Sequence, residues 1–159
     1  MLKLFQYNWQ VREDWFTWCE DVPEEELLKK RTGGVGIILY TLFHIVDVEY
    51  SWILGLKGEP EPEEPPFEAY ASLARVREFS KLCHKEVKPF VISWTSEIES
   101  QTLSETNSSG ETINFKYGEI MRHVIAHEIH HIGQLSVWSR ELGGKEPVTA
   151  NLIGRGLFD

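Results

Sequence analysis

Residues 117–142 read YGEIMRHVIAHEIHHIGQLSVWSREL, and the period of that stretch decides the fold. At about 100° per residue, Ile120, Val124, His127, His131, Leu135, Trp138 and Leu142 fall within about 80° of one another, the stripe of an amphipathic helix. Gly143-Gly144 follows and stops it. Four of the chain's 6 histidines, His123, His127, His130 and His131, lie in this one helix. His127 and His131 occupy stripe positions where Leu or Ile is expected, while His123 and His130 fall to one side.

Three further helices follow from the same arithmetic. The stretch from Leu2 to Glu20 carries Leu4, Tyr7, Val11, Trp15 and Trp18 at helical spacing, with Trp9 and Phe16 on a second side. It ends near Asp21-Val22-Pro23, ahead of an acidic run and a Thr32-Gly33-Gly34 loop. The second helix is expected from Val35 to Leu56 and is apolar almost all round, as for a helix central in a bundle or shared with a partner subunit. The third starts near Phe67 or Tyr70 and runs through Val76, Cys83, Val87 and Trp94 to Ile98, with a kink at Pro89. Between the second and third, GEPEPEEPP (Gly58 to Pro66) is a stiff acidic connector that cannot be helix. Thr102 to Phe115, centred on Asn107-Ser108-Ser109-Gly110, reads as a small β-hairpin or an irregular loop. The expectation is an all-α four-helix bundle, one domain over 1–159.

The histidines carry the chemistry. Imidazoles at i and i+4 are about 6 Å apart along a helix and about 40° apart around it, so His127 and His131 can converge on one ion at about 2.0–2.1 Å each. His123 and His131 are too far apart to share it. The second helix has one histidine, His44, on a face with Ile37, Thr41, Val48 and Trp52. An unsatisfied imidazole in a core costs about 1–3 kcal/mol, and a shared divalent ion explains three such placements together. Imidazole donors suit zinc, nickel, iron and copper alike; zinc or nickel is the first expectation. His127-Glu128-Ile129-His130-His131 also fits H-E-x-x-H, with Glu128 as general base and Glu146 as a third ligand. A short chain of helices offers no substrate-binding sheet for that protease reading.

Composition excludes other classes. Asp plus Glu number 25 against 16 Lys plus Arg, a net charge of −9, which is no footprint for nucleic acid or an anionic membrane. Two cysteines, Cys19 and Cys83, make no disulfide framework, and with no apparent signal peptide the expected compartment is cytoplasmic. Val35 to Phe43 is too short to span a bilayer of ~20 residues.

Tyr7-Asn8-Trp9, Leu42 to Leu56 (LFHIVDVEYSWILGL) and His123 to Leu135 (HVIAHEIHHIGQL) together resemble the DinB-like family, which is grouped with the YfiT-type metal-dependent hydrolases. The resemblance covers nearly the whole chain in order. It implies a four-helix bundle, often a homodimer, and a divalent-metal site on His44, His127 and His131. It also implies an enzyme of the hydrolase or low-molecular-weight thiol transferase kind acting on a small-molecule substrate. This chain has Ile132 where many members have Arg. The alternative is a non-catalytic, stress-related metal-binding bundle. Of the remaining residues, Asp47 is placed to orient a ligand ring or to meet solvent. Glu49 is expected to be structural or at the surface. His123 and Gln134 are candidates for the pocket rim, and Cys83 for the core.

Overall fold

The computed structural model describes residues 1–60, 66–106 and 108–158. Four long helices form the bundle: α1 (Leu2–Cys19), α3 (Ile38–Lys57), α4 (Leu73–Ile92) and α6 (Tyr117–Leu142). Short helices α2 (Glu24–Leu28) and α5 (Ser96–Glu99), a 3-10 turn at Phe67–Tyr70 and the strands β1 (Thr102–Thr106) and β2 (Thr112–Lys116) connect them. α3 packs mainly between α4 and α6, and α1 closes the opposite side against the same two helices. The described residues are therefore all-α apart from one antiparallel hairpin, which feeds directly into α6 with Thr102 opposite Lys116 and Thr106 opposite Thr112.

Local chemistry explains the ends. α3 begins at Ile38 rather than Val35, because Gly33, Gly34 and Gly36 adopt left-handed backbone that a helix cannot use. It stops at Gly58, which is left-handed: the Gly58 N–H donates to the Gly55 carbonyl and the Glu59 N–H to that of Leu54, closing a Schellman turn. Ser72 caps α4, its hydroxyl accepting from the Arg75 N–H. The expected third helix is split. It starts at Leu73, after the 3-10 turn, and ends at Ile92, one turn past Pro89, so Trp94 and Ile98 belong to the connection and to α5. The acidic run after Pro23 forms α2, which periodicity did not reveal. The acidic connector lies outside the described residues at 61–65.

The core has two halves. One gathers Val11, Trp15, Leu39, Leu42, Val76, Leu135 and Trp138; the other gathers Phe5, Ile53, Val87, Met121 and Val124. The apolar girth of α3 is largely consumed within the chain, with Ile38, Leu39, Leu42, Ile45, Val46 and Ile53 all buried. Leu4 stands exposed, and Phe5 takes the buried position instead. No helix among the described residues is long and apolar enough to cross a membrane.

Candidate metal centre

At the level between the two core halves, α1, α3 and α6 each turn polar. His44 leaves α3 one turn after Tyr40, and His127 and His131 leave α6 one turn apart. The His127 Nε2 lies 3.2 Å from the His44 Nε2 and 3.2 Å from the His131 Nε2. All three donor nitrogens fall within 4.8 Å of one another. A tetrahedron with metal–nitrogen bonds of about 2.0–2.1 Å has an edge of about 3.3–3.4 Å. The two separations through His127 are close to that edge, and the third pair of nitrogens lies within 4.8 Å. Lone pairs crowded in this way repel unless a proton or a cation is shared among them.

Electrostatics keep these rings neutral. Burial pushes the imidazolium of His44 below its ordinary range, with His131 adding to the effect. Burial also lowers His127, to about 4, helped by the neighbouring histidines. For His131 burial again dominates, opposed by the bond to Gln134. Neutral imidazole is the form that ligates a metal. His44 and His127 are half-buried and His131 is buried, so the cluster retains a side open to solvent.

The neighbouring histidines do not join the three. His123 is exposed; its ring centre is 5.9 Å from that of His127 and 6.0 Å from that of Trp52. His130 is exposed too, and its Nε2 meets the Gln134 amide nitrogen at 3.0 Å. The other end of the same carboxamide, Oε1, lies 2.8 Å from the His131 Nδ1. Gln134 thus touches a cluster member directly rather than lying only at the rim. Ile132 is buried in the first core half, where it packs among apolar side chains.

Glu128 faces the other way. Its two oxygens accept from the Arg12 Nε at 2.9 Å and Nη2 at 2.6 Å, while the Arg12 Nη1 donates to the Glu49 Oε1 at 2.9 Å. The Trp9 indole donates to the remaining Glu49 oxygen at 2.9 Å. Arg12, Glu49 and Glu128 are each no more than 2% exposed. Burial raises the Glu128 carboxyl, and Arg12 works against that rise. A carboxylate held in this fork is not placed as a general base for the histidine cluster. Glu146, the third ligand of the protease reading, instead lies where its carbonyl accepts from the Trp18 indole. Glu49 is structural and not at the surface. The sequence reading missed Arg12, although Phe5, Asn8, Arg12, Phe16 and Cys19 fall within about 80° on a second face of α1, where a lone arginine among apolar neighbours is a signal. Asp47 is also buried. Burial pushes the thiols of Cys19 and Cys83 up to about 12, so neither is a ready nucleophile.

Fold and cluster together define a helical bundle with three convergent imidazoles contributed by the adjacent helices α3 and α6, a donor set that fits a divalent ion. The family model described as the DinB family matches residues 1–153, and the chain belongs to that family. The uncharacterized protein YizA of Bacillus subtilis (strain 168) is 48% identical over 157 residues, covering 99% of this chain and 96% of that protein.

Proposed function

We propose that His44, His127 and His131 hold one divalent ion, and that the protein is a metal-dependent enzyme acting on a small molecule. The observation that carries this reading is the 3.2 Å spacing of the Nε2 atoms in rings that burial keeps neutral. A bound divalent ion would supply Lewis acidity, lowering the pKa of water or of a low-molecular-weight thiol. The three rings would hold that charge. The half-buried His44 and His127 leave a side accessible, which favours catalysis over a sealed structural ion. Tyr40, whose ring centre is 6.4 Å from that of His44, and Trp52 near His123 give the approach an aromatic flank suited to an apolar part of a substrate. Hydrolysis and thiol transfer are the two reactions to test, and zinc and nickel the first metals.

Residues 1–159 are read as one domain, supported by the extent of the family match. A homodimer is proposed, supported by apolar side chains that α4 and α6 leave exposed: Leu82, Ile92, Ile129 and Val137. The cytoplasm is proposed as its compartment, supported by two free, buried cysteines. The decisive experiment is metal analysis of untagged protein, followed by hydrolase and thiol-transfer assays with and without the recovered metal. One ion per chain and turnover that chelation abolishes are expected. A chain that takes up no divalent ion would end the proposal. A stoichiometric ion with no turnover in either assay would shift it to a non-catalytic metal-binding bundle.

A further inference from the structure

We infer that Gln134 is a positioning residue for the metal centre: it fixes the tautomer of His131, and the Gly34 loop fixes Gln134. This rests on the metal reading above. The Gln134 Oε1 has lone pairs and no hydrogen, so at 2.8 Å from the His131 Nδ1 the shared hydrogen belongs to the ring. A neutral imidazole with hydrogen on Nδ1 has a free lone pair on Nε2, the atom that faces His127. At the other end of the carboxamide, Nε2 has only hydrogens to offer, so the His130 ring nitrogen 3.0 Å away accepts from it. An imidazole ligand whose second nitrogen donates to an oxygen is held in one tautomer and one ring orientation, and its basicity rises.

The carboxamide is in turn held from outside the helix. The loop before α3 is tied down by the Trp138 indole, which donates to the Thr32 carbonyl at 3.0 Å, and by the Arg31 N–H, which donates to the Gly36 carbonyl at 2.6 Å. Gly34 in this loop is left-handed, with φ +51, and a Cβ on it would collide with the Gln134 carboxamide. Gly33 is also left-handed, with φ +89, but a Cβ there meets nothing within 4 Å. Ala at either position brings similar backbone strain, and only at Gly34 does it displace Gln134.

The test uses full-length protein stripped with chelator, with the His131 tautomer read by long-range proton–nitrogen NMR at about pH 7.5, above the ordinary imidazole value, and cobalt(II) affinity read by titration. Wild type is expected to carry its His131 hydrogen on Nδ1. Gln134→Leu should lose that preference and weaken cobalt(II) binding about 10–100-fold. Gln134→Glu, which keeps an acceptor, should restore the tautomer. Gly34→Ala should reproduce the loss with Gln134 intact, and Gly33→Ala should not. A His131 hydrogen on Nε2 in wild type would overturn the inference. So would an unchanged tautomer and affinity in both Gln134→Leu and Gly34→Ala. If Gln134→Leu does not fold, the two glycine variants decide. If wild type binds no cobalt(II), the metal reading fails separately, and the tautomer still decides whether Gln134 positions His131.

Discussion

His127 and Glu128 are adjacent in α6, yet they feed two polar clusters of opposite design. Glu128 turns inward to a guanidinium that it shares with Glu49, so each formal charge is met by a charged hydrogen bond. His127 turns to two more imidazoles, and the three bring ring nitrogens to one point with no charged group of opposite sign among them. The first cluster is complete from protein groups alone. The second is the one that we propose a divalent cation completes. A buried polar group in a core is therefore not informative by itself; what separates structure from chemistry is whether donors and acceptors balance within the chain.

The sharpest way to break this contrast is to unbalance the first cluster. Arg12→Leu leaves two carboxylates buried without their counter-charge, and urea unfolding should show a loss of about 3–5 kcal/mol. A loss under about 1 kcal/mol would mean that the carboxylates relax to solvent and that the layer does not depend on its arginine. Removing a ligand should do the reverse. His127→Ala or His131→Ala should weaken divalent-metal binding by at least about 100-fold, more than loss of an outer partner does, while the metal-free protein still unfolds cooperatively. Unchanged affinity in both variants would remove the basis of the site.

Acid should also tell the clusters apart. Burial lowers His44, His127 and His131, the second to about 4, whereas in an unfolded chain each takes a proton near ~6.5. Protons then favour the unfolded state below that value. In chelator-treated protein the stability of the cluster is full above about pH 7 and is lost as pH falls from ~6.5 toward the folded value. Melting curves at about pH 7.5 and about pH 5 should therefore diverge, and His127→Asn should narrow the gap. Equal gaps in the two proteins would show that His127 is not the group responsible. The smallest effect is expected at the rim: His123→Ala should change metal affinity less than about threefold, well below an outer-partner effect. A tenfold loss in an equilibrium titration would bring His123 into the site.

Much of this was legible before any coordinates. The four long helices follow from apolar period, and His44, His127 and His131 stood out because each interrupts an apolar stripe. Two things did not stand out. Glu49 and Glu128 are two among 25 acidic residues, and nothing local marks an acid as buried when its partner, Arg12, is supplied by another helix. The contact of Gly34 with Gln134 spans about a hundred residues, and neither residue signals the other. The end of the third helix differs from the expected one because Trp94 and Ile98 continue its period, although the helix has already ended at Ile92.

The layout of the charged layer has a consequence for the order in which the molecule is made. Arg12 and Glu49 are separated by 37 residues, and Arg12 and Glu128 by 116. A chain lengthening on the ribosome at about 5–20 residues per second therefore holds its arginine and first glutamate long before the second glutamate emerges. In that interval one cation faces one anion. The last long helix then delivers the second anion and two of the three imidazoles in a single stretch. Closure of the bundle and completion of the histidine cluster are thus the same late event, and the proposed metal would not meet all three imidazoles in a half-made protein.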